Sequence, residues 1–246
     1  GRTPNGKMVE VSPGIFYGVC RAGGSLNSGT VFKYTLSTNI IENKDDFNNP
    51  TSGSQPLGGL MKASSGILYG MTGYGGPNGA GTLFQYDLTA DSIKTLVQFN
   101  GNNGRNGQGV PFQIGGDLYG LTNYGTYTTG TGKGILFKYN IAGDSITRMR
   151  TFGAVAPGYY PSGELVPSTA GKYLILMRTG GNNSYAGAIA EYTLATNTIV
   201  GVASFDRPLN GTAPRGNLKK SSVNGKYYGI AGYGGSGDFG TLFEYD

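Results

Sequence analysis

One pattern, G-x-L-Y-G, returns along these 246 residues and confines the chain to a repeat architecture. It reads Gly14-Ile15-Phe16-Tyr17-Gly18, Gly66-Ile67-Leu68-Tyr69-Gly70 and Gly116-Asp117-Leu118-Tyr119-Gly120. It recurs in weaker form at Gly171-Lys172-Tyr173-Leu174-Ile175 and strongly at Gly225-Lys226-Tyr227-Tyr228-Gly229. Tyr17, Tyr69, Tyr119, Leu174 and Tyr228 are thereby equivalent, at spacings of 52, 50, 55 and 54 residues.

Three further segments keep step with this one. After a Gly-rich stretch comes G-T-L-F-x-Y, at 29–34, 81–86, 134–139, 187–192 and 240–245. Its aromatic residues alternate with Lys, Gln or Glu, the period of a strand with one buried face. A third segment runs from Ile to Phe, as in SIKTLVQF (92–99), SITRMRTF (145–152) and TIVGVASF (198–205). A fourth follows a Pro-x-Gly pair: Pro4-Asn5-Gly6, Pro161-Ser162-Gly163 and Pro214-Arg215-Gly216, with Pro56 and Pro111 opening looser versions. In chain order these are strands A (Pro-x-Gly), B (G-x-L-Y-G), C (G-T-L-F) and D (Ile to Phe). No segment sustains a helical apolar period.

Four short antiparallel strands repeated radially make propeller blades. The predicted fold is all-β, a β-propeller of about five four-stranded blades. The last blade lacks its outer strand, because copy five stops at the close of strand C. One domain is expected over 1–246, with repeats at 1–53, 54–108, 109–158, 159–211 and 212–246. The missing strand would leave an open sheet edge, so continuation beyond Asp246 into further repeats or an anchoring domain is expected.

The string GILYGMTGYGGPNGAGTLFQYDL (66–88) resembles the GloVer tandem repeat of bacterial secreted and cell-surface proteins. The resemblance runs copy by copy along the chain, and the fourth copy departs most, with Leu174-Ile175 for Tyr-Gly and Ala190 for Phe. It implies a secreted or surface-anchored protein, often carrying a C-terminal sorting segment. It implies no catalytic residues and no cofactor.

Composition agrees with display outside the cell. Charged residues are 13% of the chain against roughly 25% in an average domain, while Gly, Tyr and Phe number 46, 18 and 11. The net charge of +5 is scattered, so no basic stripe for nucleic acid forms. No stretch is apolar enough to span a membrane as a helix. GRTPNGKM is not a signal peptide, so a secreted form is expected to begin after a removed leader. Cys20, the single cysteine, lies among apolar neighbours and reads as a buried structural thiol.

With no His in the chain, Ser-His-Asp and Cys-His chemistry is excluded. No clustered carboxylates suggest a metal site. Asp206 and Asp238 are the chief acids of the long loops; Asp117 and Glu164 lie near strands B and A. Two-carboxylate glycosidase chemistry stays open on composition alone, but the expectation is a non-enzyme.

In antiparallel blades the B–C and D–A loops share one face. They are the long connections here, and loops on a rigid scaffold often carry function. Just before the glycines of the B–C loops stand Tyr74, Tyr124 and Tyr233, replaced by Ala22 and Thr179 in copies one and four; the residue before that is Arg21, Gly73, Asn123, Arg178 or Gly232. Tyr and Arg offer flat stacking surfaces with hydrogen-bonding tips. Arg21, Tyr74, Asn123, Tyr124, Arg178 and Tyr233 are candidate contacts for a glycan or a protein at the cell surface; packing between blades is the competing explanation for the repeated tyrosines. A structural or passenger domain without its own ligand is the alternative function.

Overall fold

The computed structural model describes residues 1–125, 132–153, 157–182, 186–207 and 209–246. These form five antiparallel sheets without a helix, the blades of a β-propeller. β1 (Arg2–Ser12), β2 (Ile15–Ala22), β3 (Thr30–Thr35) and β4 (Ile40–Asp46) follow one another in the first sheet. The second holds β5 (Ser54–Pro56), β6 (Met61–Lys62), β7 (Ile67–Tyr74), β8 (Thr82–Asp87) and β9 (Ser92–Gln98), with β5 and β6 both pairing with β7. The third holds β10 (Arg105–Ile114), β11 (Asp117–Tyr124), β12 (Ile135–Asn140) and β13 (Ser145–Thr151), and the fourth β14 (Gly158–Pro167), β15 (Lys172–Gly180), β16 (Ala188–Thr193) and β17 (Thr198–Ser204). The fifth has three strands, β18 (Thr212–Lys220), β19 (Tyr227–Tyr233) and β20 (Thr241–Tyr245), as the sequence predicted.

Two compact units divide the chain, one of 1–120 and 137–147, the other of 121–136 and 148–246. The first buries Tyr17, Val19, Val31 and Phe47 of one blade against Leu60, Leu68, Phe84 and Tyr86 of the next. The second repeats the seam with Leu174, Leu176, Ile189 and Phe205 against Leu218, Tyr227 and Phe243. The Phe closing strand D meets the strand-C Phe of the following blade: Phe47 with Phe84 at 4.9 Å, Phe99 with Phe137 at 5.5 Å, and Phe205 with Phe243 at 4.7 Å between ring centroids.

Strand C's Phe also needs room inside its own blade. Gly18 faces Phe32, Gly70 faces Phe84 and Gly229 faces Phe243 across the B–C strand pair, and a Cβ on any of these glycines would strike the ring. This explains the deviant fourth copy. There Ile175 faces Ala190, both fully buried, so bulk has changed sides of one strand pair.

Blades are latched by a backbone device. One residue near the start of strand A is left-handed in every copy: Thr3, Gln55, Asn106, Tyr160 and Ala213, with φ from +50° to +58°. Gln55, Asn106, Tyr160 and Ala213 donate their N–H to the carbonyls of Ser28, Ala80, Lys133 and Ala186 in the preceding blade, at 2.8–2.9 Å. The proline that follows seats on a glycine there: Pro56 on Gly29, Pro161 on Gly134, Pro214 on Gly187. Copy three corrects the sequence reading, because its strand A opens at Arg105 and Gly107, not Pro111, occupies the proline position.

Candidate functional site

Loop lengths follow the sequence expectation. The C–D turns are short (36–39, 88–91, 141–144 and 194–197), while the B–C and D–A connections are longer. The outward end of strand B borders those long connections.

Tyr74 closes β7, Tyr124 closes β11 and Tyr233 closes β19; they are 42%, 42% and 48% exposed. The strand-B tyrosines Tyr17, Tyr69 and Tyr119 are by contrast only 4–6% exposed. The rings at the strand end keep close to half of their surface open, and one of them, Tyr124, also packs on the following blade. Arg21 and Arg178 are exposed and Asn123 is half-buried.

In the first unit, Arg21 donates from Nε and Nη2 to Gln55 Oε1, at 3.0 and 2.9 Å. In the second, Tyr124 stands edge-on to Tyr160 with centroids 5.4 Å apart, and Tyr160 is edge-on to Tyr159 at 5.2 Å. Lys133 Nζ lies 3.9 Å from the centroid of Tyr159, a cation–π contact. Arg215 approaches the ring of Tyr233 at 6.0 Å. Arg178 has no hydrogen-bond or ion-pair partner among the described residues; Met177 and Thr179 on either side pair with Pro161 and Tyr159. No hydrogen bond or ring contact joins two of the six candidates among the described residues.

Tyr159, Tyr160 and Lys133 escaped the sequence reading. Their signal is the doubled tyrosine directly before Pro161, where other copies place single small or polar residues. The left-handed residue of strand A is the physical partner of the strand-B end: Gln55 meets Arg21, Tyr160 meets Tyr124, and Asn106 donates through Nδ2 to the carbonyl of Gly73 at 3.1 Å. The strand-A residue keeps its backbone from copy to copy while its side chain changes, and Tyr124 stands one residue beyond the position held by Arg21 and Gly73.

The acidic candidates are engaged locally. Glu164 and Asn217 exchange two hydrogen bonds of 2.9 and 3.2 Å. Asp117 accepts from Asn140 at 2.7 Å and pairs with Lys138 at 3.5 Å. Asp238 forms a two-pronged ion pair with Arg207 and accepts the N–H of Gly234. Cys20 is buried and unpaired.

No curated protein matches the chain. Among solved structures, a chain of a nidogen/laminin complex is similar over 93% of this chain and 70% of its own length, at 9% identity and a TM-score of 0.56. The extracellular domain of BT4673 from B. thetaiotaomicron, in two structures, matches 97% of this chain at 12% and 10% identity, with TM-scores of 0.62 and 0.63. This chain spans 27% and 26% of those chains. At such identities the likeness concerns the fold. The family model described as the Gloeobacter/Verrucomicrobia repeat matches residues 1–131. That match covers the first two copies with both of their motifs and the third through its G-x-L-Y-G segment, more than half of the chain, and the chain belongs to the Gloeobacter/Verrucomicrobia repeat family.

Proposed function

We propose that this chain is a non-enzymatic binding module of the secreted fraction or the cell surface, taking a glycan on the rims made by the B–C and D–A loops. The carrying observation is the variable pair at the rim. The left-handed strand-A residues Gln55, Asn106 and Tyr160 share one backbone arrangement and meet different strand-B groups of the preceding blade, Arg21, Gly73 and Tyr124, with exposed rings and guanidinium groups beside them. A scaffold that holds its main chain and varies its outward side chains suits recognition more than packing. Half-exposed tyrosines supply faces on which sugar rings stack, and their hydroxyls with Arg178 supply directional polar contacts. Engagement of Glu164, Asp117 and Asp238 by neighbouring groups speaks against a paired-carboxylate hydrolase. The likeness to an extracellular domain supports the placement outside the cell.

Glycan-array screening followed by titration calorimetry tests the reading. The expected result is saccharide binding that weakens about tenfold or more in Tyr124→Ala, Tyr160→Ala and Arg178→Ala, a loss of about 1.4 kcal/mol, with the thermal midpoint little changed. An empty array, or affinities indifferent to all three substitutions, would sink it. Steady turnover of a polysaccharide would replace it with the hydrolase.

A further inference from the structure

The repeated blades serve as internal references for one another, and at the rim the fourth copy differs from the first by one missing acceptor. Arg178 in β15 holds the position of Arg21 in β2, three residues beyond the equivalent Ile175 and Gly18. Arg21 delivers Nε and Nη2 to the side-chain oxygen of Gln55, the left-handed residue of the next strand A. For Arg178 the left-handed residue of the next strand A is Ala213, whose methyl group accepts nothing. Arg178 is exposed, and acids of the same unit are engaged elsewhere: Glu191 with Lys172, Asp238 with Arg207 and Glu244 with Lys226. A planar fork of donors without an acceptor suits a carboxylate or a sulfate, which offers two oxygens at matching spacing.

The same arginine borders the aromatic cluster. β14 and β15 pair Tyr159 with Thr179 and Pro161 with Met177, so Arg178 lies across the strand pair from Tyr160. Their Cα atoms are therefore roughly 5 Å apart. Tyr160 meets the ring of Tyr124 and that of Tyr159, and Lys133 Nζ sits on the Tyr159 ring. All five residues belong to one compact unit. That unit carries ten basic residues against six acidic, where the other carries nine against eight. Rings beside two cations suit a sugar with negative charge: the rings stack on its C–H faces and the cations hold its anionic group.

We propose, resting on the glycan reading above, that this rim site selects an acidic saccharide. Arg178 holds its carboxylate or sulfate in the way that Arg21 holds the Gln55 oxygen, Lys133 adds the second positive charge, and Tyr124, Tyr160 and Tyr159 supply the stacking faces.

Titration calorimetry with matched pairs tests this: oligogalacturonate and its methyl ester, hyaluronan oligosaccharide and its methyl ester, and κ-carrageenan oligosaccharide and its desulfated form. The charged member of at least one pair is expected to bind about tenfold or more tightly than its neutral counterpart, and to weaken as sodium chloride rises. The pair that shows the preference tells carboxylate from sulfate. Arg178→Ala should erase the preference and Lys133→Ala should reduce it. Ala213→Gln writes the Gln55 side chain into the same left-handed position; it leaves the net charge unchanged, occupies the guanidinium and should erase the preference as well. Tyr124→Ala should weaken both members alike. Lys219→Ala with Lys220→Ala, at the densest basic spot of the chain and outside the cluster, should change nothing; a loss as large as that of Arg178→Ala would reduce the effect to general charge and overturn the site. Binding confined to neutral sugars, or a preference untouched by Arg178→Ala and Ala213→Gln, overturns the acidic-sugar site and leaves the glycan reading standing. A glycan array on which nothing binds removes both.

Discussion

Two of the devices that hold the blades act through single residues, and they differ in how readable they are. Each complete C–D hairpin is clasped by the strand-C tyrosine, whose hydroxyl donates to an Asn or Asp five residues on: Tyr34 to Asn39 (3.0 Å), Tyr86 to Asp91 (2.5 Å), Tyr139 to Asp144 (2.6 Å) and Tyr192 to Asn197 (3.3 Å). The acceptors are left-handed, a conformation Asn and Asp tolerate best among residues with a side chain. The Y-x-x-x-x-[ND] spacing follows strand C in each of the four complete copies, but it is invisible to a reading that treats these turns only as short. Tyr139→Phe removes a hydrogen bond to a carboxylate and is expected to cost about 1.5–3 kcal/mol in urea unfolding. Tyr34→Phe, whose hydrogen bond is more exposed and has a neutral acceptor, should cost about 1 kcal/mol or less. The left-handed latch is the opposite case. Thr, Gln, Asn, Tyr and Ala share it, so no residue type announces it, and only the bond to the preceding blade explains why it persists. A non-glycine residue there bears about 1–2 kcal/mol of backbone strain. Ala213→Gly is therefore expected to raise stability by up to about 1 kcal/mol, after the greater unfolded-state freedom of glycine is subtracted. A fall in its unfolding midpoint would contradict the strain.

At the scale of the strands, alternation of aromatic and polar residues marks strand C, while strand B is buried over consecutive residues (17–20, 68–73 and 118–122) and is marked by its motif instead. Strand A was harder to place. Its Pro-x-Gly opening is legible in four copies, but in copy three Gly107 replaces the proline and Pro111 draws the eye four residues too far. The fourth copy looks defective in one dimension and is sound in two, since Ile175 and Ala190 face each other across the strand pair. Ile175→Gly alone should open a cavity and cost about 3 kcal/mol or more. Ala190→Phe alone should overpack the blade by about 1–3 kcal/mol. The double variant restores the Gly–Phe arrangement of the other copies, and Phe152 then stands ready to meet the new ring as Phe47 meets Phe84. It is expected to recover most of the combined loss, a coupling that a double-mutant cycle in denaturant measures directly. Simple additivity would refute the exchange.

For the whole molecule, the repeat period and the aromatic alternation were enough to reach a propeller. The rim was legible only by half, because a recognition surface depends on which side chains two neighbouring blades bring together. The titration behaviour follows more directly from composition. With no His, no side chain titrates at its ordinary value between about pH 5 and 8, so stability should be flat across that range. On the acid side, four carboxyls lie below their ordinary values. The Ser25 N–H and then Asn43 lower Asp46, and Arg207 and the Gly234 N–H lower Asp238. Lys226 and Tyr228 lower Glu244. Burial pushes Asp91 upward, but hydrogen bonds from Lys44 and Tyr86 outweigh it. A carboxyl whose folded value is depressed contributes stability that is present above its unfolded value and lost as pH falls through the folded one. The midpoint should therefore decline below about pH 4. On the alkaline side the sign reverses its window. Burial, with the hydrogen bonds to Asp91 and Asp144, holds Tyr86 and Tyr139 far above the ordinary tyrosine value. Their contribution is complete below about pH 10 and disappears as pH rises beyond it, because the unfolded chain releases those protons first. Calorimetry from acid to alkaline pH should give a plateau with two shoulders, and Tyr86→Phe should blunt the alkaline one. A sloping profile between pH 5 and 8 would contradict an account in which these groups dominate.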